Sequence, residues 1–306
     1  MARLSTTPRF LIIAALAVSV IALLQVPGRG TGSSSGDRDE IRWQAPTKSS
    51  IPFEETREFA LSNEPCPAGL PLLEPKQVNS VDLELSLFLD LPGAIALVFL
   101  DAENGFVAER NGLVYAFDSA GVLAEPVINM ASDTSNEMDQ GLLGLAISPD
   151  KNWLYLNRTD LRGSSVVTAH SLQSGMPNLG AGVEIIVVDQ PSAMHNGGDL
   201  AFDSEGRLLL SFGDGGGLGD PNGHGQDLST PLGAVLRLDV NPNQWPPHKP
   251  AIGNPDHGPG SDPRIWVSGV RNPFRFSFDE TTGDLWLTDL GQQCVEELNV
   301  LTSADA

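Results

Sequence analysis

Basic residues are scarce in this sequence, and their scarcity limits the partners that the protein can bind. The chain has 18 lysines and arginines against 39 aspartates and glutamates, which gives a formal net charge of −21 at pH 7. Such a surface repels phosphate backbones and anionic lipid, and no basic stripe offsets it. The composition therefore argues against nucleic acid as a partner. An anionic cofactor or substrate would need a local arginine or a bound metal ion to hold it.

Two further absences narrow the fold and the chemistry. Long stretches of Ala, Leu, Glu and Lys at helical spacing are missing, whereas 32 glycines and 23 prolines supply many turns. We therefore expect an all-β fold of short strands. A zinc site is not supported either. Apart from His195, the histidines are His170, His224, His248 and His257, and they show neither an HExxH pattern nor a paired spacing.

The glycine-rich segment "GDGGGLGDPNGHGQD" does not open a dinucleotide-binding fold. Asp220, Pro221 and Asn222 stand where a helix should begin. Its oxygen-bearing side chains, from Asp214, Asp220, Asn222 and Asp227, leave a calcium site open as an alternative, although their order is not that of an EF-hand loop.

The N-terminal apolar run is too short for a typical membrane span. It extends from Phe10 to Leu24, follows Arg3 and Arg9, and has the length of a signal peptide. We predict that residues 1–27 are a signal peptide or an uncleaved N-terminal anchor. The protein is therefore expected to be exported, to the periplasm or the extracellular space, with an anchor as its one route to a membrane.

The rest of the chain divides into a linker and a folded domain. Residues 28–65 have linker composition and little apolar content, which predicts a flexible tether. Residues 66–306 are predicted to form the domain. Cys66 and Cys294 are the two cysteines of the sequence, and an exported chain could leave them paired or unpaired.

One pattern recurs in the domain: an apolar strand, a turn rich in Asp, Pro and Gly, and a second apolar strand that ends in a polar loop. The copies are "AIALVFLDAENGFVAERNG" from Ala94, "LLGLAISPDKNWLYLNRTD" from Leu142, "DLAFDSEGRLLLSFGDGG" from Asp199 and "FRFSFDETTGDLWLTDLGQ" from Phe274. Repeated hairpins of this kind are typical of propeller blades, so we predict a β-propeller, incomplete at the C-terminus. A β-sandwich of unrelated hairpins is the alternative, which the similarity between the copies disfavours.

The repeat gathers reactive side chains at one edge of each blade. The start of the first strand of a hairpin and the end of the second lie at the same edge, so His195 and Asp214 should meet. Matched positions in the other copies are held by Asp139 and Gln140, Arg271 and Asn272, and Gly291 and Gln292. A base, an acid, an arginine and amide groups at the mouth of a channel are typical of a binding or active site.

Each of these residues, taken alone, has a simpler interpretation. His195 in "HNGG" could cap a turn, and Asp214 in "GDGG" is a common turn residue. Arg271 could pair with a nearby acid. Their matched positions in the repeat favour the functional interpretation.

In this order the motifs resemble the glucose/sorbosone dehydrogenase family, soluble sugar dehydrogenases that use pyrroloquinoline quinone (PQQ) on a six-bladed propeller. The resemblance runs from about Leu91 to Leu301. It rests on "VAERNGLVYAFD", "QGLLGLAISPD", "HNGGDLAFDSEGRLLLSFGDGG", "QDLSTPLGAVLRLDV", "WVSGVRNPFRFSFDETTGDLW" and "VEELN". It implies oxidation of an aldose to a lactone, with PQQ and calcium as cofactors and an external electron acceptor.

The resemblance also implies roles for the matched residues. His195 corresponds to the general base that takes the proton of the anomeric hydroxyl, and Asp214 to the acid that orients it. Arg271 and Asn272 in "GVRNP" correspond to cofactor contacts. The carbonyl groups of Gly291 and Gln292 correspond to the pair that holds calcium.

Some positions depart from the family pattern. The family has glutamine two residues before "GLLG" as a cofactor contact, where this chain has Asp139, with Gln140 one place later. Gln292 stands where well-studied members have proline. The family's later lysine and arginine contacts to PQQ lie in blades that this sequence lacks.

Two other functions remain open on the sequence. One is a non-catalytic extracellular propeller that binds a protein or glycan, of the Hedgehog-interacting type. The other is a calcium-dependent hydrolase, in which Asp139, Asp214 and Asn272 would bind the ion through their side chains and activate water.

Overall fold

The computed structural model describes residues 22–25, 84–178, 182–292 and 296–302. Apart from the strand at 22–25, the predicted signal peptide or anchor lies outside the described residues, and so do the predicted linker, Cys66 and Cys294. Within the described ranges, no helix has the length and hydropathy needed to cross a membrane.

Strands make up almost all of the regular secondary structure in the described residues, which confirms the predicted all-β class. In chain order the strands are β1 (Ala22–Gln25), β2 (Glu84–Leu87), β3 (Ala94–Phe99), β4 (Gly105–Glu109), β5 (Leu113–Asp118), β6 (Gly121–Val122), β7 (Ile128–Asn129), β8 (Leu142–Ile147), β9 (Trp153–Thr159), β10 (Ser165–Gln173), β11 (Met176–Pro177), β12 (Val183–Val188), β13 (Leu200–Phe202), β14 (Leu208–Phe212), β15 (Ala234–Val240), β16 (His248–Pro250), β17 (Ile265–Ser268), β18 (Pro273–Phe278), β19 (Leu285–Asp289) and β20 (Glu297–Leu301). Short 3-10 turns at Ala131–Asp133 and His224–Gln226 are the helical elements of the described ranges.

Within the described ranges the strands from β3 onward form four antiparallel meanders, each beginning with one of the predicted hairpins. Blade 1 runs β3-β4-β5-β7, blade 2 runs β8-β9-β10-β12, blade 3 runs β13-β14-β15-β17, and blade 4 runs β18-β19-β20. The short strands β6, β11 and β16 pair with the third strand of blades 1, 2 and 3. The predicted β-propeller architecture is therefore confirmed.

The apolar core lies between successive blades. Leu208, Leu209 and Leu210 on β14 are consecutive and fully buried. Because neighbouring side chains of a strand point to opposite faces, such a run is stable only where both faces are covered. Leu208 and Leu210 pack in a cluster with Tyr155 of blade 2, and Leu209 packs with Leu285 of blade 4. Burial of each leucine side chain stabilises the fold by roughly 1.5–3 kcal/mol. These leucines therefore stabilise the packing of blade 3 against blades 2 and 4.

A buried arginine ties blade 4 to the first strand of blade 1. Arg275 on β18 donates to the carbonyl oxygens of Phe274 at 2.8 Å and of Ile95 on β3 at 2.9 Å. Its charge faces Asp199, whose carboxylate accepts the N–H of Phe276 at 2.9 Å. Burial raises the pKa of Asp199 and lowers that of Arg275, and each opposite charge counters the other's shift. The two charges therefore depend on each other.

We predict that Arg275→Met lowers the free energy of unfolding by about 3–5 kcal/mol, because Asp199 would stay buried without a cation. Guanidinium unfolding followed by tryptophan fluorescence measures the loss. Arg162→Met is the matched control, since the Arg162 side chain is 83% exposed and its loss should change the stability by no more than about 0.5 kcal/mol. A loss in Arg275→Met as small as that of the control would show that Asp199 does not need Arg275.

A second prediction concerns His170 on β10, which is buried and whose pKa burial lowers to about 4. An unfolded histidine has a pKa of about 6.5, so the folded state favours the neutral ring, and the stability from this group is full above about pH 6.5 and is lost as the pH falls towards 4. Between pH 7 and about pH 4.5, the stability of His170→Gln should fall by about 2–3 kcal/mol less than that of the unchanged protein. Denaturant unfolding at both pH values measures this, and parallel losses in the two proteins would contradict it.

Candidate active site

The predicted site residues lie on loops at the ends of the inner strands. His195 lies between β12 and β13, and Asp214 follows β14. Arg271 and Asn272 connect β17 to β18. Asp139 and Gln140 precede β8, and Gly291 and Gln292 follow β19.

His195 and Asp214 are in direct contact, as the hairpin geometry predicts. Nδ1 of His195 lies 2.6 Å from Oδ1 of Asp214, and both residues are buried. That oxygen also accepts the N–H of Gly216 at 2.8 Å. On the other side of the ring, Nη2 of Arg271 lies 2.7 Å from Nε2. An arginine can only donate, so these partners assign a neutral ring that donates from Nδ1 and accepts at Nε2, the tautomer of a general base.

The main chain of His195 has a conformation unusual for this residue type, with φ at +57°. Left-handed backbone costs a non-glycine residue about 1–2 kcal/mol, so neighbouring contacts must hold it. Oδ2 of Asp139 accepts the N–H of His195 at 2.7 Å, and the N–H of Asp139 donates to the carbonyl of Ala193 at 2.9 Å. Asp139 therefore binds the main chain on both sides of Met194, at Ala193 and at His195.

A glycine permits the close approach of these loops. Any side chain at Gly213 would collide with the carbonyl oxygen of His195, and its Cβ would lie 2.9 Å from the carbonyl oxygen of Arg271. The N–H of the next residue, Asp214, donates to that Arg271 oxygen at 2.8 Å. The sequence "GDGG" thus brings blade 3 close enough to the β17–β18 loop for Asp214 to be held from both ends.

Asp289, at the end of β19, is a site residue that the sequence reasoning missed. Its two carboxylate oxygens accept the N–H groups of Arg271 at 2.8 Å and of Asn272 at 2.6 Å. Burial raises the pKa of the Asp289 carboxyl, and the two N–H bonds counter that shift. The available signal was strand alternation, since Asp289 shares a face with the buried Leu285 and Leu287.

Asn272 and Arg271 continue this network towards His195. Oδ1 of Asn272 accepts the N–H of Gly197 at 3.1 Å. Arg271 donates from Nη1 to the carbonyl oxygens of Leu290 at 2.8 Å and of Gly291 at 3.3 Å. The Arg271 guanidinium therefore spans from the histidine ring to a carbonyl of the predicted calcium pair.

The remaining predicted residues have partners within the protein. Oε1 of Gln140 accepts from Ser135 at 2.5 Å. Oε1 of Gln292 accepts the N–H of Gly219 at 2.5 Å, which fastens the glycine-rich loop to the end of blade 4. Arg110, which the sequence reasoning also missed, donates to the carbonyl oxygens of Gln140, at 2.7 Å, and of Met138.

The structure gives little support to metal binding by acidic side chains. The carboxylate of Asp220 accepts the N–H groups of His224 and Gly225 in its own turn, and that of Asp227 accepts from Ser229. Across the described ranges, no group of three or more His, Cys, Asp or Glu side chains is arranged to hold a metal ion.

Comparison with proteins of known sequence finds a matching family and several relatives. A family model described as Glucose / Sorbosone dehydrogenase matches residues 89–305. The HIPL2 protein of Arabidopsis thaliana is 34% identical over 130 residues, 39% of this chain and 19% of that protein. Aldose sugar dehydrogenase YliI of Escherichia coli K12 is 25% identical over 232 residues, 69% of this chain and 57% of that protein.

The fold has solved counterparts as well. The PQQ-bound form of aldose sugar dehydrogenase from Streptomyces coelicolor matches with a TM-score of 0.59 at 24% identity, over 70% of this chain and 61% of that one. At this identity the likeness supports the fold. The chain spans less than two thirds of the length of each of these three relatives. Because the family model covers most of the chain and all four blades, the protein belongs to the glucose/sorbosone dehydrogenase family.

Proposed function

We propose that the protein is a PQQ-dependent, calcium-requiring aldose dehydrogenase that oxidises the anomeric hydroxyl of an aldose to a lactone. The observation that carries the proposal is a buried histidine held between an aspartate and an arginine, His195 between Asp214 and Arg271. Family membership supports the reaction class. Export and an external electron acceptor are retained as part of the proposal, from the apolar N-terminal run and from the family resemblance.

The site residues fit an anionic quinone. PQQ carries several carboxylates, and a protein with a net charge of −21 needs a local cation to retain it. Arg271 supplies that cation beside His195. If Nη2 of Arg271 left the His195 ring, it would be free to donate to an anion. Asn272 is a predicted second contact, although its Oδ1 is engaged by Gly197. The contacts predicted for Asp139 and Gln140 remain predictions.

The same region suits calcium through main-chain oxygen. Carbonyl groups are ligands that calcium accepts readily, and Gly291 and Gln292 would provide two of them. The Gly291 oxygen now accepts a long bond from Arg271 at 3.3 Å. If an anionic ligand drew Arg271 away, that oxygen would be free for a cation, so the two charges complement each other.

The mechanism follows from the hydrogen bonds of His195. Nε2 would accept the proton of the anomeric hydroxyl once Arg271 releases that nitrogen. Asp214 fixes the reactive tautomer through Nδ1 and stabilises the imidazolium that forms. When bound, PQQ supplies the acceptor for the hydride of the anomeric carbon, and calcium polarises the quinone oxygen.

Reconstitution tests the proposal. The purified protein should reduce an artificial electron acceptor in the presence of an aldose when both PQQ and calcium are added, and omission of either should abolish turnover. His195→Ala should lower kcat by at least about 100-fold, because proton abstraction loses its base. His257→Ala is the matched control, since His257 lies in the loop at 251–264 between β16 and β17, and it should retain activity.

The other candidate functions predict different results in the same assay. Binding of PQQ without turnover, or no PQQ binding by a folded protein, would contradict the dehydrogenase. Lactone or ester hydrolysis with calcium alone would indicate the hydrolase. The contacts of Asp139, Asp214 and Asn272 do not favour the hydrolase, because each side chain already has a partner in the protein.

A pair of variants separates catalysis from cofactor binding. Asp214→Asn keeps the shape but removes the charge that stabilises the imidazolium, so kcat should fall by roughly 100- to 10,000-fold with PQQ affinity nearly unchanged. Arg271→Gln removes the cation, so PQQ affinity should fall by about 10- to 100-fold. Titration of PQQ by absorbance and single-turnover kinetics measure the two quantities. Identical effects of the two variants on both would show that the roles are assigned wrongly.

A further inference from the structure

We propose that Asp139 is a positioning residue for His195, whose carboxylate holds the main chain of the histidine so that Nε2 faces the substrate. This role differs from the cofactor contact that the sequence predicts for Asp139. Its catalytic consequence rests on the proposed function. The structural part of the proposal, that Asp139 holds the main chain of His195, rests only on the described hydrogen bonds.

The main chain around His195 has no strand to hold it. Strand β12 ends at Val188 and β13 begins at Leu200, so His195 lies in a connection. Two bonds from one residue hold this connection on either side of Met194: the Asp139 carboxylate accepts the N–H of His195 at 2.7 Å, and the Asp139 N–H donates to the carbonyl of Ala193 at 2.9 Å. A bond of this length to a carboxylate is charge-assisted and about twice as strong as a neutral one.

The grip is needed because the conformation of His195 is unfavourable by itself. With φ at +57°, the residue would relax to the right-handed or extended region if it were released. That rotation would swing Cβ and move the ring away from Asp214. The 2.6 Å contact between His195 and Asp214 therefore requires the left-handed backbone that Asp139 stabilises.

The reaction itself makes this constraint more important. In the described structure Arg271 and Asp214 hold opposite nitrogens of the ring. Arg271 must leave Nε2 before this nitrogen can accept a proton. From that moment the ring is held by Asp214 alone, and the main-chain bond to Asp139 is the second fixed point.

Asp139 is itself firmly placed by blade 1. Arg110, which follows β4, donates to the carbonyl oxygens of both neighbours of Asp139, namely Met138 and Gln140. The N–H of Gln140 donates to Glu137 at 2.7 Å and closes the turn. Hydrogen bonds thus connect Arg110 of blade 1, through Asp139, to His195 between blades 2 and 3.

The chemistry of the grip defines the test variants. An acceptor oxygen at this position is required, whereas the negative charge only strengthens the bond. Asp139→Asn keeps an oxygen of the same reach, and Asp139→Ala and Asp139→Leu remove it. Asp118→Ala is the matched control, because Asp118 is an exposed aspartate that also caps a backbone N–H, that of Ala120.

The first measurement uses the protein without PQQ. Hydrogen exchange of the His195 amide should be slow in the unchanged protein, although this residue lies outside any strand, and about tenfold or more faster in Asp139→Ala, with Asp139→Asn close to the unchanged protein. Asp139→Leu replaces Asp139→Ala if the alanine variant does not fold. Fast exchange of the His195 amide in the unchanged protein would overturn the proposal without any variant.

The second measurement uses the protein with PQQ and calcium. Asp139→Ala should lower kcat by about 10- to 100-fold, because a misplaced base loses that much, while PQQ affinity stays within about twofold. Asp139→Asn should recover most of the lost kcat. A fall in PQQ affinity with unchanged amide exchange would show instead that Asp139 contacts the cofactor, and equal losses in the alanine and asparagine variants would show that charge, not position, matters.

The two measurements fail separately. If the unchanged protein shows no PQQ-dependent turnover, the proposed function is wrong, and the exchange data still decide whether Asp139 holds the main chain of His195. If turnover is present but the exchange rates do not change, the positioning role is wrong and the proposed function is unaffected.

Discussion

The carboxylate of Asp289 is the interaction on which the geometry of the site depends. It accepts the N–H groups of both Arg271 and Asn272 and so fixes the loop that connects blades 3 and 4. The Arg271 carbonyl then accepts the N–H of Asp214, and the Asn272 side chain accepts that of Gly197. Without Asp289, the groups on both sides of His195 would lose their common support.

The carboxylates of this site bind two kinds of group, a histidine ring and main-chain N–H groups. Asp214 holds a ring nitrogen, whereas Asp139 and Asp289 hold main-chain N–H groups of loops that no strand ladder can satisfy. Acceptors with two oxygens suit such loops, because each can take two donors and gains from its charge. The acidity of the chain is therefore used inside the site as well as on its surface. Arg271 is the cation that faces the His195 ring among these carboxylates.

The sequence predicts the parts of the structure that follow from periodicity. Each hairpin is visible because apolar alternation and turn residues are local, and the meeting of His195 with Asp214 follows from hairpin geometry alone. Strand alternation marks Asp289 as a residue of the buried face, but no spacing rule reveals that Asp289 and Arg110 bind main-chain groups of other segments. The cofactor contact predicted for Asp139 remains a prediction, and its bond to the N–H of His195 was not foreseen, since the sequence shows where a loop lies and not which way its carboxylate turns.

The roles of His195 and Asp214 as base and orienting acid have to be tested by chemical measurements. The resemblance implies a base and its orienting acid, and the structure gives the contacts that such a pair requires. It also shows a contact between Arg271 and Nε2 of His195 that the motif alone does not suggest. Nε2 of His195 is engaged in the described structure, so this nitrogen could accept a proton only after Arg271 had moved away.

The long sequence separation of these contacts has a consequence for folding. The bond from Asp139 joins residues 56 positions apart, and the bond from Arg271 to His195 joins residues 76 apart. Contacts of such high contact order form after the local hairpins, because chain entropy must be lost before they are made. The hydrogen bonds that surround His195 are therefore completed late in folding, after the hairpins of the individual blades have formed.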